Sequence, residues 1–256
     1  MNQDHPAPET SPSPGTLPSG QPPVRRVYRP YITYIVIGIC VVVYLIQAGT
    51  SYFLNVDYPA ALGVKDNSLI LQGQVWRLFT PMFLHGSILH IGFNMWALFL
   101  IGPMIERFYG RWRYLGLYIL SGFAGNVISF MFSPYPSLGS STAIFGLLSA
   151  EGVLIYQNRE IFGNIARRAL SEVVIIAVVN LIIGLSPGID NWGHIGGLVG
   201  GLLFAWFGGP VLKRLGVIPP FAVVDQRGRR EAIVAGVGVG ILFFFLTFAT
   251  MYMRRG

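Results

Sequence analysis

Seven apolar runs, each near the length of a membrane crossing, leave this chain few ways to fold. They fall at about 31–49, 88–105, 114–132, 141–157, 170–187, 193–212 and 232–252, and about 20 apolar residues of helix span the hydrocarbon core of a bilayer. Composition agrees: 53% of residues are hydrophobic and 11% charged, against about 25% charged in a soluble domain. The expected fold class is therefore an all-α polytopic membrane protein, a bundle of seven transmembrane helices embedded in the lipid bilayer. One cysteine, Cys40, excludes an internal disulfide and a cysteine metal site.

The basic residues set an orientation. With a cytoplasmic N-terminus, Arg25, Arg26, Arg29, Arg107, Arg111, Arg113, Arg159, Arg167, Arg168, Lys213, Arg214, Arg227, Arg229 and Arg230 lie inside. Only Lys65, Arg77, Arg254 and Arg255 lie outside, fourteen against four. The net charge of +7 is thereby a matter of topology and implies no nucleic acid. An odd number of spans puts the C-terminus outside, and the bias fits a plasma (inner) membrane. Residues 1–26, with seven prolines among Ser, Thr and Gly, read as a disordered cytoplasmic tail. Residues 50–87 form a long outer loop, and its Tyr52, Phe53, Leu54, Trp76, Phe79 and Phe83 suit an interfacial position.

Polar groups in apolar helices are costly and mark function. Three helices open at their outer ends with such groups: His85, His90 and Asn94 on the second; Gly139, Ser140, Ser141 and Thr142 on the fourth; Asp190, Asn191 and His194 on the sixth. They meet at one depth, so hydroxyl, imidazole and amide can combine as a nucleophile, base and oxyanion site. His194, Gly197 and Gly201 share a helix face, and the small-xxx-small pair lets the fourth helix approach. Either serine of the doublet can be the nucleophile on spacing alone. His90 and His194 also have the chemistry of haem ligands, and Glu151, about ten residues inward of Ser141, reads as a snorkelling or paired charge. No H-E-x-x-H zinc motif and no pair of membrane aspartates is present. The short uncharged connection 133–140 leaves room for an open polar cavity above the clusters.

Residues 74–205 resemble the rhomboid intramembrane serine proteases. Trp76-Arg77 is similar to the family's W-R in the first outer loop, and His85, His90 and Asn94 have its H-x4-H-x3-N spacing. Glu106-Arg107 with Gly110 resembles E-R-x-x-G; Gly139 to Gly146 resembles G-x-S-G-x-x-x-G; His194 with Gly196, Gly197 and Gly201 resembles the base motif. The resemblance implies a rhomboid-like six-helix catalytic core over 27–212, then a cytoplasmic linker and seventh helix over 213–256. It implies Ser141 as nucleophile and His194 as base, with no metal or cofactor. His90, Asn94 and the Ser141 N–H would form the oxyanion site, and Phe145 would pack on the base. Register from Gly146 favours Ser141 over Ser140. Substrates would be single-span membrane proteins. The family's glycine after the nucleophile is Thr142 here, which crowds the crossing of the fourth and sixth helices. The competing reading is a catalytically weak or inactive relative that binds transmembrane helices without cutting them.

Overall fold

In the computed structural model, residues 28–215 and 222–255 are described; the expected tail over 1–26 lies outside them. Ten helices follow one another: α1 (Tyr31–Leu54), α2 (Tyr58–Gly63), α3 (Asn67–Leu71), α4 (Ile88–Tyr109), α5 (Arg111–Phe132), α6 (Ser141–Gln157), α7 (Arg159–Phe162), α8 (Ala166–Ile183), α9 (Asn191–Gly208) and α10 (Arg229–Arg255). Of these, α1, α4, α5 and α10 are long and apolar enough to cross a membrane by themselves. Of the remaining long ones, α6 is shorter, at 17 residues, and α8 and α9 carry charged or polar groups. Helices α6 and α9 carry the Ser, Thr, Asn, His and Gly of the clusters and face protein, while α8 opens with Arg167, Arg168 and Glu172.

The core is built around α5, whose Tyr114, Leu117, Tyr118, Phe123, Ala124, Val127 and Phe130 are fully buried. Against it runs α9 with a glycine face. A Cβ at Gly200 would strike Ala124, and one at Gly196 would lie 2.6 Å from Ile128 Cβ. On the α6 side, a Cβ at Gly197 would fall on the Thr142 carbonyl oxygen and one at Gly201 on that of Gly146. Backbones thus approach until carbonyl meets Cα, the close packing small residues permit in lipid. By contrast α8 stands at the rim, with only Ala166 and Val173 buried. Helix α10 lies on α9 and α5, where Phe244 joins Phe79 and Phe123 in an aromatic cluster.

Helix ends are set by identifiable groups. Pro30 precedes α1 and cannot cap it with a side chain; Glu106 of α4 does so instead, accepting from the N–H groups of Ile32 and Thr33, from Thr33 Oγ1 and from Tyr28 OH. Gly110, at φ 74°, ends α4 and opens α5. Relative to the spans read from sequence, α1 runs five residues further and α8 starts four earlier. The second shift has a cause: long Arg side chains reach an interface from within a helix, and Pro187-Gly188 closes the segment sooner.

Two stretches carry structure that hydropathy does not signal. In the linker, β1 (Leu212–Leu215) pairs antiparallel with β2 (Ala222–Asp225), and Arg113 of α5 binds Asp225 at 2.6 Å. The outer loop 55–87 is folded into α2, α3 and two 3-10 turns, Val75–Leu78 and Thr80–Phe83. Arg77 is 3% exposed and donates to the carbonyls of Val64 (3.0 Å) and Ala61 (2.7 Å), where a cation suits the C-terminal end of α2. Lys65 pairs with Ser137 in an antiparallel bridge, and its fully buried ammonium donates to Ser133 O at 3.3 Å.

Candidate active site

Ser141 is the first residue of α6, placed there by Gly139, whose φ of 137° belongs to glycine. The same glycine lets the chain pass close to His90, since a Cβ on it would lie 2.7 Å from His90 Nε2. One turn into α9, His194 points its Nε2 at Ser141 Oγ, 3.0 Å away. Phe145, one turn along α6 from Ser141, stacks on the His194 ring at 4.2 Å with an interplanar angle of 11°. Both the nucleophile and the ring that orients its base thus come from one helix face. His194 Nδ1 has no partner among the described residues, so this is a serine–histidine pair without an orienting carboxylate.

Asp190, expected on a loop, is the N-cap of α9. Its Oδ1 accepts from Gly193 N (3.0 Å) and its Oδ2 from Ser129 Oγ (2.5 Å), and an N-cap Asp before an apolar helix is a readable signal. Thr142 is housed rather than crowding. It is 4% exposed, and its methyl sits where Gly193 and Gly125 have no Cβ. The α6–α9 crossing survives the extra bulk because those two neighbours are glycines.

Above the pair opens a cavity of about 1030 Å³ whose wall includes His90, Gly139, Ser141, Thr142, Asp190 and His194. Its rim is the 133–139 connection expected to leave such a space. Two of the expected oxyanion groups, His90 and Ser141, line it. Asn94 does not: it is 7% exposed and its Nδ2 donates back to His90 O at 2.9 Å, so it stands behind His90 and must rotate to reach an oxyanion. Trp76 and Arg77 are not part of the cavity wall. Trp76 Nε1 donates to Leu62 O at 3.1 Å, and the pair holds the outer loop together. His85 is 1% exposed and its Nε2 meets the buried Ser140 Oγ at 3.2 Å. Gly197 and Gly201 serve the helix crossing.

Glu151 makes no ion pair or hydrogen bond among the described residues, which removes the paired-charge reading. The residues that sequence reading passed over are structural partners of the site. Gln47 holds the His85 backbone from both sides and Asp57 (Nε2 to Oδ2, 2.9 Å), and Asn126 donates to Leu78 O at 3.0 Å. A lone Gln in an apolar run is the kind of intramembrane polar group that marks such a contact.

The rhomboid domain matches residues 72–211, which contain Ser141, His194, His90 and Asn94. The chain belongs to the rhomboid family. Rhomboid protease GluP of Bacillus subtilis (strain 168) is 37% identical over 219 residues, 85% of this chain and 41% of the relative. RHOMBOID-like protein 9, chloroplastic, of Arabidopsis thaliana is 37% identical over 156 residues, 60% of this chain and 36% of that protein. RHOMBOID-like protein 6, mitochondrial, of the same plant is 39% identical over 142 residues, 55% and 46%. The chain spans less than half the length of these curated relatives. Like the rhomboid family as a whole, it is a multi-pass membrane protein.

Proposed function

We propose that this rhomboid chain is an intramembrane serine endopeptidase that cuts single-span membrane proteins near the outer ends of their helices. The observation that carries the reading is the 3.0 Å contact between Ser141 Oγ and His194 Nε2 at the wall of a cavity. A serine hydroxyl is a weak nucleophile and needs an adjacent base, and a neutral imidazole supplies one at physiological pH. As Oγ attacks the scissile carbonyl, Nε2 takes its proton. The negative charge passes to the carbonyl oxygen, where the Ser141 N–H, His90 and a rotated Asn94 stabilise it. Collapse of the intermediate releases the amine, which receives the proton from His194. Water then hydrolyses the ester by the same route in reverse.

In this reading all seven long helices span the bilayer, with α6 and α9 shielded from lipid, the N-terminus inside and the C-terminus outside in a plasma membrane. Residues 27–212 form the catalytic core and α10 is appended to it. Exposed Tyr52, Phe53, Leu62 and Trp76 support an interfacial seat for the outer loop. Covalent labelling by a fluorophosphonate, read by intact mass, tests the activity. One adduct is expected on wild type and on Ser140→Ala, and none on Ser141→Ala or His194→Ala. Well-folded wild type that never labels would leave the helix-binding, non-cutting reading in its place.

A further inference from the structure

Four of the described helices are capped by the side chain of the residue just ahead of them: Asp57 on α2, Asp66 on α3, Ser87 on α4 and Asp190 on α9 each accept from first-turn N–H groups. The residue just ahead of helix α6 is Ser140, equally suited to capping, and yet the helix has no side-chain cap. The difference shows in the backbone. The four capping residues have ψ between 80° and 165°, whereas Ser140 sits at ψ −5°. Its hydroxyl is turned the other way, to His85 Nε2 at 3.2 Å, with both residues buried. The N–H groups of Ser141, Thr142 and Ala143 consequently have no hydrogen-bond partner among the described residues. They are the first N–H groups of the helix that carries the nucleophile.

Resting on the proposed proteolysis, we propose that His85 holds the Ser140 hydroxyl away from the first turn of α6, keeping that turn's N–H groups free to receive the oxyanion. His85 and Ser140 are positioning residues in this account, and neither touches substrate. A helix start left uncapped loses stability, and here the unfilled donors stay open for the charge that develops in the reaction. The serine doublet thus divides its tasks: Ser141 attacks, and Ser140 is kept from quenching the site. His85 is itself fixed, because Gln47 Oε1 accepts from its backbone N–H at 3.0 Å and its ring lies edge-on to His90 at 5.2 Å.

The test is a two-residue cycle on the full chain in detergent, using a single-span reporter substrate and the fluorophosphonate. His85→Asn keeps a polar side chain too short to reach Ser140. With Ser140 released to cap α6, kcat should fall about five- to tenfold, the population effect of a typical N-cap, with KM unchanged. Adding Ser140→Ala removes the capping hydroxyl, so the double variant should recover most of the loss. His85→Gln, whose amide nitrogen reaches the Nε2 position, should lose less than His85→Asn. A folded double variant no faster than His85→Asn would overturn the proposal, because a merely structural His85 gives no rescue. A second measurement needs no variant. Solid-state NMR of wild type should show Ser141 and Thr142 amide proton shifts of unbonded N–H groups, and shifts typical of bonded ones would overturn the proposal. Wild type that neither cleaves nor labels would overturn the proteolytic reading itself, while the amide shifts still report whether the first turn is open.

Discussion

Asn94 and Lys65 show how much one side chain's direction decides. Asn94 donates to its own helix at rest, so its contribution to the proposed reaction appears only when an oxyanion draws the amide around. Asn94→Ala should therefore lower kcat by about 10²-fold, the usual cost of one oxyanion donor, and leave KM and the thermal midpoint nearly unchanged in steady-state and unfolding assays. Lys65 sits in the outer loop, fully buried, and burial lowers its ammonium from 10.5 to about 8 despite the nearby carboxylates of Asp190 and Asp66, with Arg254 adding to the fall. Since the unfolded chain binds the proton more tightly, charging Lys65 costs stability fully below pH 8, and the cost fades as pH rises toward 10.5. The unfolding free energy should rise by about 3 kcal/mol over that window. Lys65→Met should flatten the rise in thermal unfolding followed against pH. Nothing in the sequence separates Lys65 from an ordinary loop lysine, whereas Ser141 and His194 are legible because hydroxyl and imidazole stand out in apolar helices.

Among the elements, α9 was the most readable and the outer loop the least. The Gly197 and Gly201 spacing announces a close crossing, and the structure places the α6 backbone against both. Gly197→Ala should cost roughly 1–3 kcal/mol or more, as overpacking does, because its methyl meets a main-chain carbonyl that cannot step aside. A fall in the detergent unfolding midpoint, together with loss of labelling, would register it. The doubt raised by Thr142 could not be resolved from its own position, since the answer lies in Gly125 on α5 and Gly193 on α9, one turn ahead of the crossing. Loop folds such as α2, α3 and the β1–β2 hairpin lack periodicity. They depend on side-chain contacts such as Arg77 to Ala61 and Arg113 to Asp225, whose partners are distant or unmarked in sequence.

For the whole molecule, the asymmetry of charge and the layout of helices make one prediction about orientation. In a Cys40→Ala background, Tyr135→Cys, at an exposed position of the 133–139 connection, should react with a membrane-impermeant maleimide on intact cells, and Lys213→Cys only after the membrane is opened. The reverse pattern would invert the proposed topology and move the cavity to the other face. Helices α1, α4, α5 and α10 are long and apolar enough to stand in lipid alone, whereas α6, α8 and α9 are less so.

The cap on α1 has a consequence for how the chain is made. The carboxylate that closes the first helix belongs to Glu106, 73 residues beyond the Thr33 amide it serves. During synthesis α1 enters the membrane with that end still answered by water, and α4 has yet to emerge. Docking of the two waits for the later segment. Until then the Cys40 side of α1, fully enclosed in the finished bundle, faces lipid. The docking of α1 is therefore timed by a residue translated well after it.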